Sequence, residues 1–240
     1  MKAFIRYIYH TFLFNWHRRS NKSFCKYLKN GGVSLGRNVN FRYPRHTTID
    51  SSRPYLIEIG DNVDINDNFT IMTHDFSSFV FRNLYHDFVP SSGKVKIGSN
   101  IYFGRDVTIL KGVTIGDNCI IGLGSIVTKN IPSNSVACGT PCKVICTLEE
   151  YYKKRKTLSV NESIELGRII VNKLNRTPQI TDFKEEWSLF FREQDFINHP
   201  EMHKIIDWRL KCDFKKFRDM HNVVFDGFDK FLAAVKTNLD

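Results

Sequence analysis

Residues 97–130 read IGSNIYFGRDVTILKGVTIGDNCIIGLGSIVTKN, and every sixth residue from the start is large and apolar: Ile97, Phe103, Ile109, Ile115, Ile121 and Val127. The same register runs upstream through Ile71, Ile65 and Ile59, and further back through Phe41 to Leu35. Three positions after these anchors stand Asn38, Asn62, Asn68, Asn100, Asp106, Gly112, Asn118, Gly124 and Asn130, residue types that tolerate left-handed backbone angles at low cost. Four positions after come mostly small or β-branched residues such as Val39, Val63, Val107, Cys119 and Ser125. The physics is that of a coil. A short strand points one aliphatic side chain inward, a tight turn follows, and three such units close a triangular turn whose inward side chains stack into a continuous core. An amphipathic helix needs a period of 3.6 instead, and a sandwich spaces its strands by about 8–12 residues. The predicted fold is therefore mainly β, a parallel β-helix over 33–147. Coils are expected at 59–76, 97–114 and 115–132, with an irregular stretch at 35–58 where Thr47 and Arg53 fall on anchor positions.

The repeat breaks at one place. Three after Ile71 the turn residue is His74, and the next clean anchor, Ile97, lies 26 residues beyond Ile71, so residues 75–94 must leave the coil as a loop. Long loops in compact repeat proteins are usually functional. A histidine at the mouth of such a loop suits general base catalysis, because its side chain ordinarily titrates near neutral pH. It also suits a turn, since histidine tolerates left-handed angles better than most types. Within the same loop His86 is a rival base. Asp75 is read as a substrate-binding residue, with orientation of the imidazole or a plain loop role as other options. Arg82 is read as a contact for a polar or anionic substrate group, or as a solvated loop arginine. Phe76, Phe79, Phe81 and Tyr85 suit either stacking on a ligand or packing between subunits.

The segment TIGDNCIIGLGSIVTKNIPSNSVACGTPCKVI at 114–145 resembles the C-terminal end of the hexapeptide-repeat acyltransferases, in the branch containing maltose, galactoside and capsular-polysaccharide O-acetyltransferases. Gly139, Pro141, Cys142, Lys143 and Ile145 match the family's closing element, and Thr73-His74-Asp75 also resembles this branch. The likeness covers about 33–146. It implies a left-handed coil, a homotrimer, and acetyl-CoA as co-substrate lying in a groove between neighbouring β-helices. By motif match Gly104, Arg105, Leu123 and Thr128 would follow the pantetheine arm, with Lys143 near the nucleotide end. His74 becomes the catalytic base, and the acceptor a sugar hydroxyl of a surface polysaccharide or its precursor. Other readings are a sugar amine, an antibiotic hydroxyl or serine as acceptor, and a non-catalytic scaffold. No metal is expected. The γ-type carbonic anhydrases share this architecture but need three histidines, and 97–132 contains none.

Charge is concentrated at one end. The chain of 240 residues carries a formal net charge of +10. Residues 1–49 contain ten Lys and Arg and no Asp or Glu, so the remainder is balanced. Residues 1–32 are predicted as a basic, aromatic helical segment that either caps the β-helix or contacts an anionic inner leaflet through 1–29. No nucleic-acid recognition module accompanies the charge. The six scattered cysteines read as free thiols. With no signal-like apolar core at the N-terminus, the expected location is the cytoplasm, peripheral on the plasma membrane if 1–29 binds it. Residues 148–240 are predicted as a helical extension. One helix is expected over 162–175, capped by Ser159 or Asn161. Another is expected after Thr181, and the last carries an apolar stripe of Phe225, Phe228, Phe231 and Leu232.

Overall fold

The computed structural model describes residues 16–192, 195, 198–210 and 221–237. Twelve short strands wind through three parallel faces. The first coil holds β1 (Ser34–Leu35), β2 (Asn40–Phe41) and β3 (Thr48–Ile49), and the second β4 (Ile57–Ile59), β5 (Val63–Ile65) and β6 (Thr70–Ile71). The third holds β7 (Val95–Ile97), β8 (Ile101–Phe103) and β9 (Thr108–Ile109), and the fourth β10 (Thr114–Ile115), β11 (Cys119–Ile121) and β12 (Ile126–Val127). The faces are β1-β4-β7-β10, β2-β5-β8-β11 and β3-β6-β9-β12. The second face is extended by β13 (Ser135–Cys138) and closed by β14 (Lys143–Thr147), which runs antiparallel.

The stacking register follows the sequence period. Ile97 pairs with Ile115, Phe103 with Ile121 and Ile109 with Val127. The apolar anchors from Phe41 to Val127 are buried, as are most residues four positions on, among them Val63, Val107 and Phe69, whose ring lies 5.0 Å from that of Phe103. The turns explain the polar column. Asn38, Asn62, Asn68, Asn100, Asp106, Gly112, Asn118 and Gly124 all have positive φ. Their amides also stack: Asn100 donates to Asn118 at 2.8 Å, and Asn118 to Asn134 at 2.9 Å.

Three departures have local causes. Proline-led 3-10 turns at Pro44–His46 and Pro54–Leu56 insert residues into the first coil. The third-face anchor there is consequently Ile49, not Thr47, and Arg53 precedes a turn without serving as an anchor. At the other end the coil shortens, so that Ile131 bridges Ile115 only sixteen residues away. Asn134 takes the left-handed turn there, while Asn130, expected to do so, instead accepts the Thr114 N–H at 2.7 Å.

A helix covers the open first coil. In α1 (Asn21–Asn30), Ser20 accepts the Ser23 N–H as N-cap, and Phe24 and Leu28 are buried. Phe24 meets Phe41 edge-on at 5.0 Å. The Asn21 side chain accepts the Phe41 N–H at 2.8 Å and donates to the Val39 carbonyl at 3.0 Å, satisfying an edge that would otherwise be unpaired. The capping expectation therefore holds for this helix. The first fifteen residues of the expected segment lie outside the described residues.

The chain divides into two compact units at Tyr151/Tyr152. The expected cap at Ser159 or Asn161 is not used. One helix, α3 in chain order after the loop helix given below, runs from Leu148 to Leu174. It starts there because Thr147 and Glu150 cap each other reciprocally: Glu150 accepts the Thr147 N–H at 2.8 Å and Thr147 accepts the Glu150 N–H at 3.2 Å. After Thr181 the chain forms short 3-10 turns at Ile180–Asp182 and Glu186–Leu189 in place of the expected helix. With α4 (Glu201–Leu210) and α5 (Phe228–Lys236), these enclose a second core around Phe183, Trp187, Phe190 and Phe231. No described helix is long and apolar enough to cross a membrane.

Candidate active site

β6 ends at Ile71 with its core side chain still in register, and the chain leaves the coil two residues later. The exit is closed by backbone pairing between the two ends of the loop. His74 forms an antiparallel bridge with Ser92, and Gly93 donates to the Thr73 carbonyl at 2.8 Å. Re-entry requires a glycine: a Cβ on Gly93 would lie 2.7 Å from the backbone nitrogen of Gly112. The loop itself holds α2 (Ser78–Leu84). His74 is not among the residues with positive φ, whereas His86 has φ 52°. The turn explanation thus suits His86 and not His74.

A buried carboxylate holds the imidazole. Asp50, one residue past β3, sits in the coil above Thr73 and His74. Its Oδ2 lies 2.5 Å from His74 Nδ1 and accepts the Thr73 hydroxyl at 2.5 Å and the Thr73 N–H at 3.1 Å. Its Oδ1 accepts the Ser52 hydroxyl at 2.7 Å and the Ser52 N–H at 3.0 Å. Burial pushes this carboxyl up, but hydrogen bonds from Thr73, Ser52 and His74 together outweigh that and hold it well below the usual carboxylate range. The Asp50 side chain is 4% exposed and that of His74 30%, so a fixed anion supports a ring whose far edge meets solvent. The pairing assigns the proton of the neutral ring to Nδ1 and leaves Nε2 as the lone-pair nitrogen, without a protein partner among the described residues.

His74 opens onto a cleft of about 370 Å³ lined also by Ser52, Arg53, Tyr55, Asp75, Phe76, Phe88 and Pro90. Asp75 lines it but does not reach the imidazole. Its carboxylate accepts the Ser77 N–H and the Ser91 hydroxyl, both at 3.0 Å, and pairs with Lys111 from the next coil. Lys111 first, then Ser77 and Ser91, hold that carboxyl well below the usual range. Arg82 is exposed on α2 and outside the cleft lining, with its guanidinium over the rings of Phe79 at 4.8 Å and Phe76 at 5.8 Å. His86 does not line the cleft either.

The residues expected along acetyl-CoA divide between the two edges of the third face. Gly104 and Arg105 follow β8, Leu123 follows β11, and Lys143 opens β14 opposite Cys138; these stack along the corner between the second and third faces. Gly104 is fixed by that stacking, since a Cβ there would lie 2.5 Å from Leu123 N. Leu123 is 76% exposed, an apolar side chain held out from the corner. Arg105 pairs with Asp67 at 2.9 Å, and His46 pairs with the other oxygen of Asp67 at 2.7 Å. Thr128 follows β12 at the opposite corner, the same one as His74 and Asp75. A single chain therefore does not bring His74 together with Gly104, Arg105, Leu123 and Lys143.

The sequence comparisons agree with this architecture. A family model described as bacterial transferase hexapeptide (six repeats) matches residues 94–129. Galactoside O-acetyltransferase of Escherichia coli (strain K12) is 40% identical over 134 residues, covering 53% of this chain and 62% of that protein. Protein CapG of Staphylococcus aureus is 38% identical over 123 residues, covering 51% of this chain and 70% of that protein. Among solved structures, a maltose O-acetyltransferase from Clostridium difficile 630 is 29% identical, with a TM-score of 0.39, covering 58% of this chain and 84% of that one. The chain belongs to the bacterial hexapeptide-repeat transferases, and its coil is the left-handed β-helix of that family. It spans less than two thirds of the length of the E. coli relative.

Proposed function

We propose that this protein is an acetyl-CoA-dependent O-acetyltransferase that transfers an acetyl group to a sugar hydroxyl, of a surface polysaccharide or its precursor, with His74 as general base. The observation that carries the reading is the buried Asp50 carboxylate 2.5 Å from His74 Nδ1 at the edge of the cleft. Relatives named galactoside O-acetyltransferase and CapG support the choice of acceptor.

The chemistry follows from the ring's orientation. An alcohol is a poor nucleophile at neutral pH, so Nε2 of His74 takes the hydroxyl proton as the oxygen attacks the thioester carbonyl. The imidazolium that forms is stabilised by Asp50, which keeps its negative charge throughout. As the tetrahedral intermediate collapses, the carbon–sulfur bond breaks and the imidazolium returns its proton to the departing thiolate, giving coenzyme A and the acetyl ester. No acyl-enzyme and no metal enter the scheme. The third face supports a trimer as the working unit. Gly104, Arg105, Leu123 and Lys143 on one edge of one chain would face His74 and Thr128 on the opposite edge of a neighbour, with acetyl-CoA between them. Arg82, stacked on Phe76 and Phe79 outside the cleft lining, is the proposed contact for a glycan that enters over α2.

The test is thiol release from acetyl-CoA against a panel of sugars, comparing wild type with His74→Ala. Acceptor-dependent turnover should fall by roughly 10²–10⁴-fold with acetyl-CoA affinity retained. Undiminished turnover removes His74 as the base, and acetyl-CoA binding with no acceptor-dependent release across the panel favours a scaffold. Sedimentation equilibrium should give three chains per particle.

A further inference from the structure

We infer that α1 is a docking surface for an anionic phospholipid bilayer, and that capping the β-helix and binding the membrane are done by opposite sides of one helix. The inward side is occupied: Phe24 and Leu28 are buried, and Asn21 is bonded to the backbone of Val39 and Phe41. Arg18 donates to the carbonyls of Pro44 and Thr47, which fixes the chain leading into the helix. The outward side carries Lys22, Lys26 and Lys29, spaced four and three residues apart, with Arg19 just ahead of the Ser20 cap, and all four are exposed. The helical spacing sets the three lysines in one stripe.

The stripe has no internal counter-charge. Residues 1–49 contain no Asp or Glu, and the next acidic residues along the chain are paired: Asp50 in its own network, Glu58 with Lys94, Asp61 with Arg37 and Asp64 with Arg42. Lys22, Lys26 and Lys29 form no ion pair among the described residues. Charge alone would suit any polyanion. The second observation is a mainly apolar recess: the C-terminal half of α1 borders a space of about 260 Å³ lined by Tyr27, Leu28, Val33, Ile49 and Pro54, with Asp50 and Ser51 also in its lining. Tyr27 is 40% exposed beside the stripe, and Trp16, with Arg19 over its ring at 3.8 Å, is 46% exposed at the other end. Cations flanked by Trp and Tyr beside an apolar recess match an interface offering both phosphate headgroups and hydrocarbon. A nucleic acid would use the cations and leave the recess unfilled. The inference does not depend on the reaction proposed above, since Lys22, Lys26, Lys29 and Tyr27 have no role in it.

The experiment is flotation of the full chain with vesicles of phosphatidylcholine alone or mixed with phosphatidylglycerol. The protein should float with the anionic vesicles, release as salt rises, and stay behind with the neutral ones. Lys22→Gln, Lys26→Gln and Lys29→Gln together should lower partitioning by about a hundredfold. Tyr27→Ser should weaken binding while leaving its salt dependence unchanged. An unchanged thermal transition shows that the variants fold. If the triple variant does not fold, Lys26→Gln alone must lower partitioning. The inference is overturned by equal binding to neutral vesicles, by a triple variant that floats like wild type, or by a DNA duplex that strips the protein from the vesicles at equal charge concentration.

Discussion

Asp50 Oδ2 accepts hydrogen bonds from both Thr73 and His74, so one buried oxygen ties the point where the chain leaves the coil to the orientation of the imidazole. The loop exit and the tautomer of the candidate base are set by a single carboxylate. Asp50→Asn keeps the shape and removes the charge. It should lower kcat by about 10–100-fold while leaving the KM for acetyl-CoA close to wild type, because the amide no longer stabilises the imidazolium. Steady-state kinetics with both substrates varied separates this from a general loss of structure, which would move both constants.

The same carboxylate predicts an acid-dependent stability. Its folded pKa lies below its unfolded value, so its contribution is fully present above the unfolded carboxylate range and is lost as pH falls through and below that range. The stability difference between wild type and Asp50→Asn should therefore shrink steadily as pH falls below about 5. Thermal unfolding of both proteins across that acid range measures it, and a difference that stays constant or grows below about pH 5 would contradict the network described.

Much of the coil was legible because its residues answer to one constraint at a time. Ile97 to Val127 had to be apolar to face inward, and Asn100 or Asp106 had to tolerate positive φ. Asp50 was missed because two proline-led turns on either side of it break the six-residue register. Setting Ile49 over Ile71, as the strands pair, would have placed an acid over Met72, within side-chain reach of Thr73 and His74. The C-terminal helices were misplaced for a different reason. Thr147 and Glu150 cap from just outside the apolar pattern, while Ser159 and Asn161, good caps in isolation, are carried inside a helix that had already begun.

Asp75 and Lys111 form a pair at the base of the loop, with side chains 47% and 32% exposed. Its loss should leave global stability nearly unchanged, as for other exposed ion pairs. It should instead loosen the loop and raise the KM for the acceptor. If the role is to hold the loop, Asp75→Asn and Lys111→Met should raise that KM to similar extents, and the double variant should add nothing further. If Asp75 touches the acceptor directly, Asp75→Asn alone will show the effect.

Gly104 tests the stacking. A Cβ there would meet the backbone of Leu123, at 2.5 Å from its nitrogen and 2.8 Å from its Cα, and backbone in a paired coil does not give way as a side-chain tip does. Gly104→Ala should destabilise the protein by about 1–3 kcal/mol. Gly31→Ala is the control, since its φ of −77° is ordinary and its nearest contacts are 3.4–3.5 Å away. Denaturant unfolding should separate the two cleanly.

Strands on either side of the loop pair as though it were missing: Ile71 meets Ile109 and Ile59 meets Ile97, 38 residues apart, where neighbouring uninterrupted coils are offset by 18. The twenty intervening residues, 75–94, spend none of the scaffold's regularity. Insertions or deletions there can reshape the rim of the cleft while Asp50, Thr73 and the rungs beneath stay where they are. A scaffold of this kind can change what it accepts without relearning how to fold.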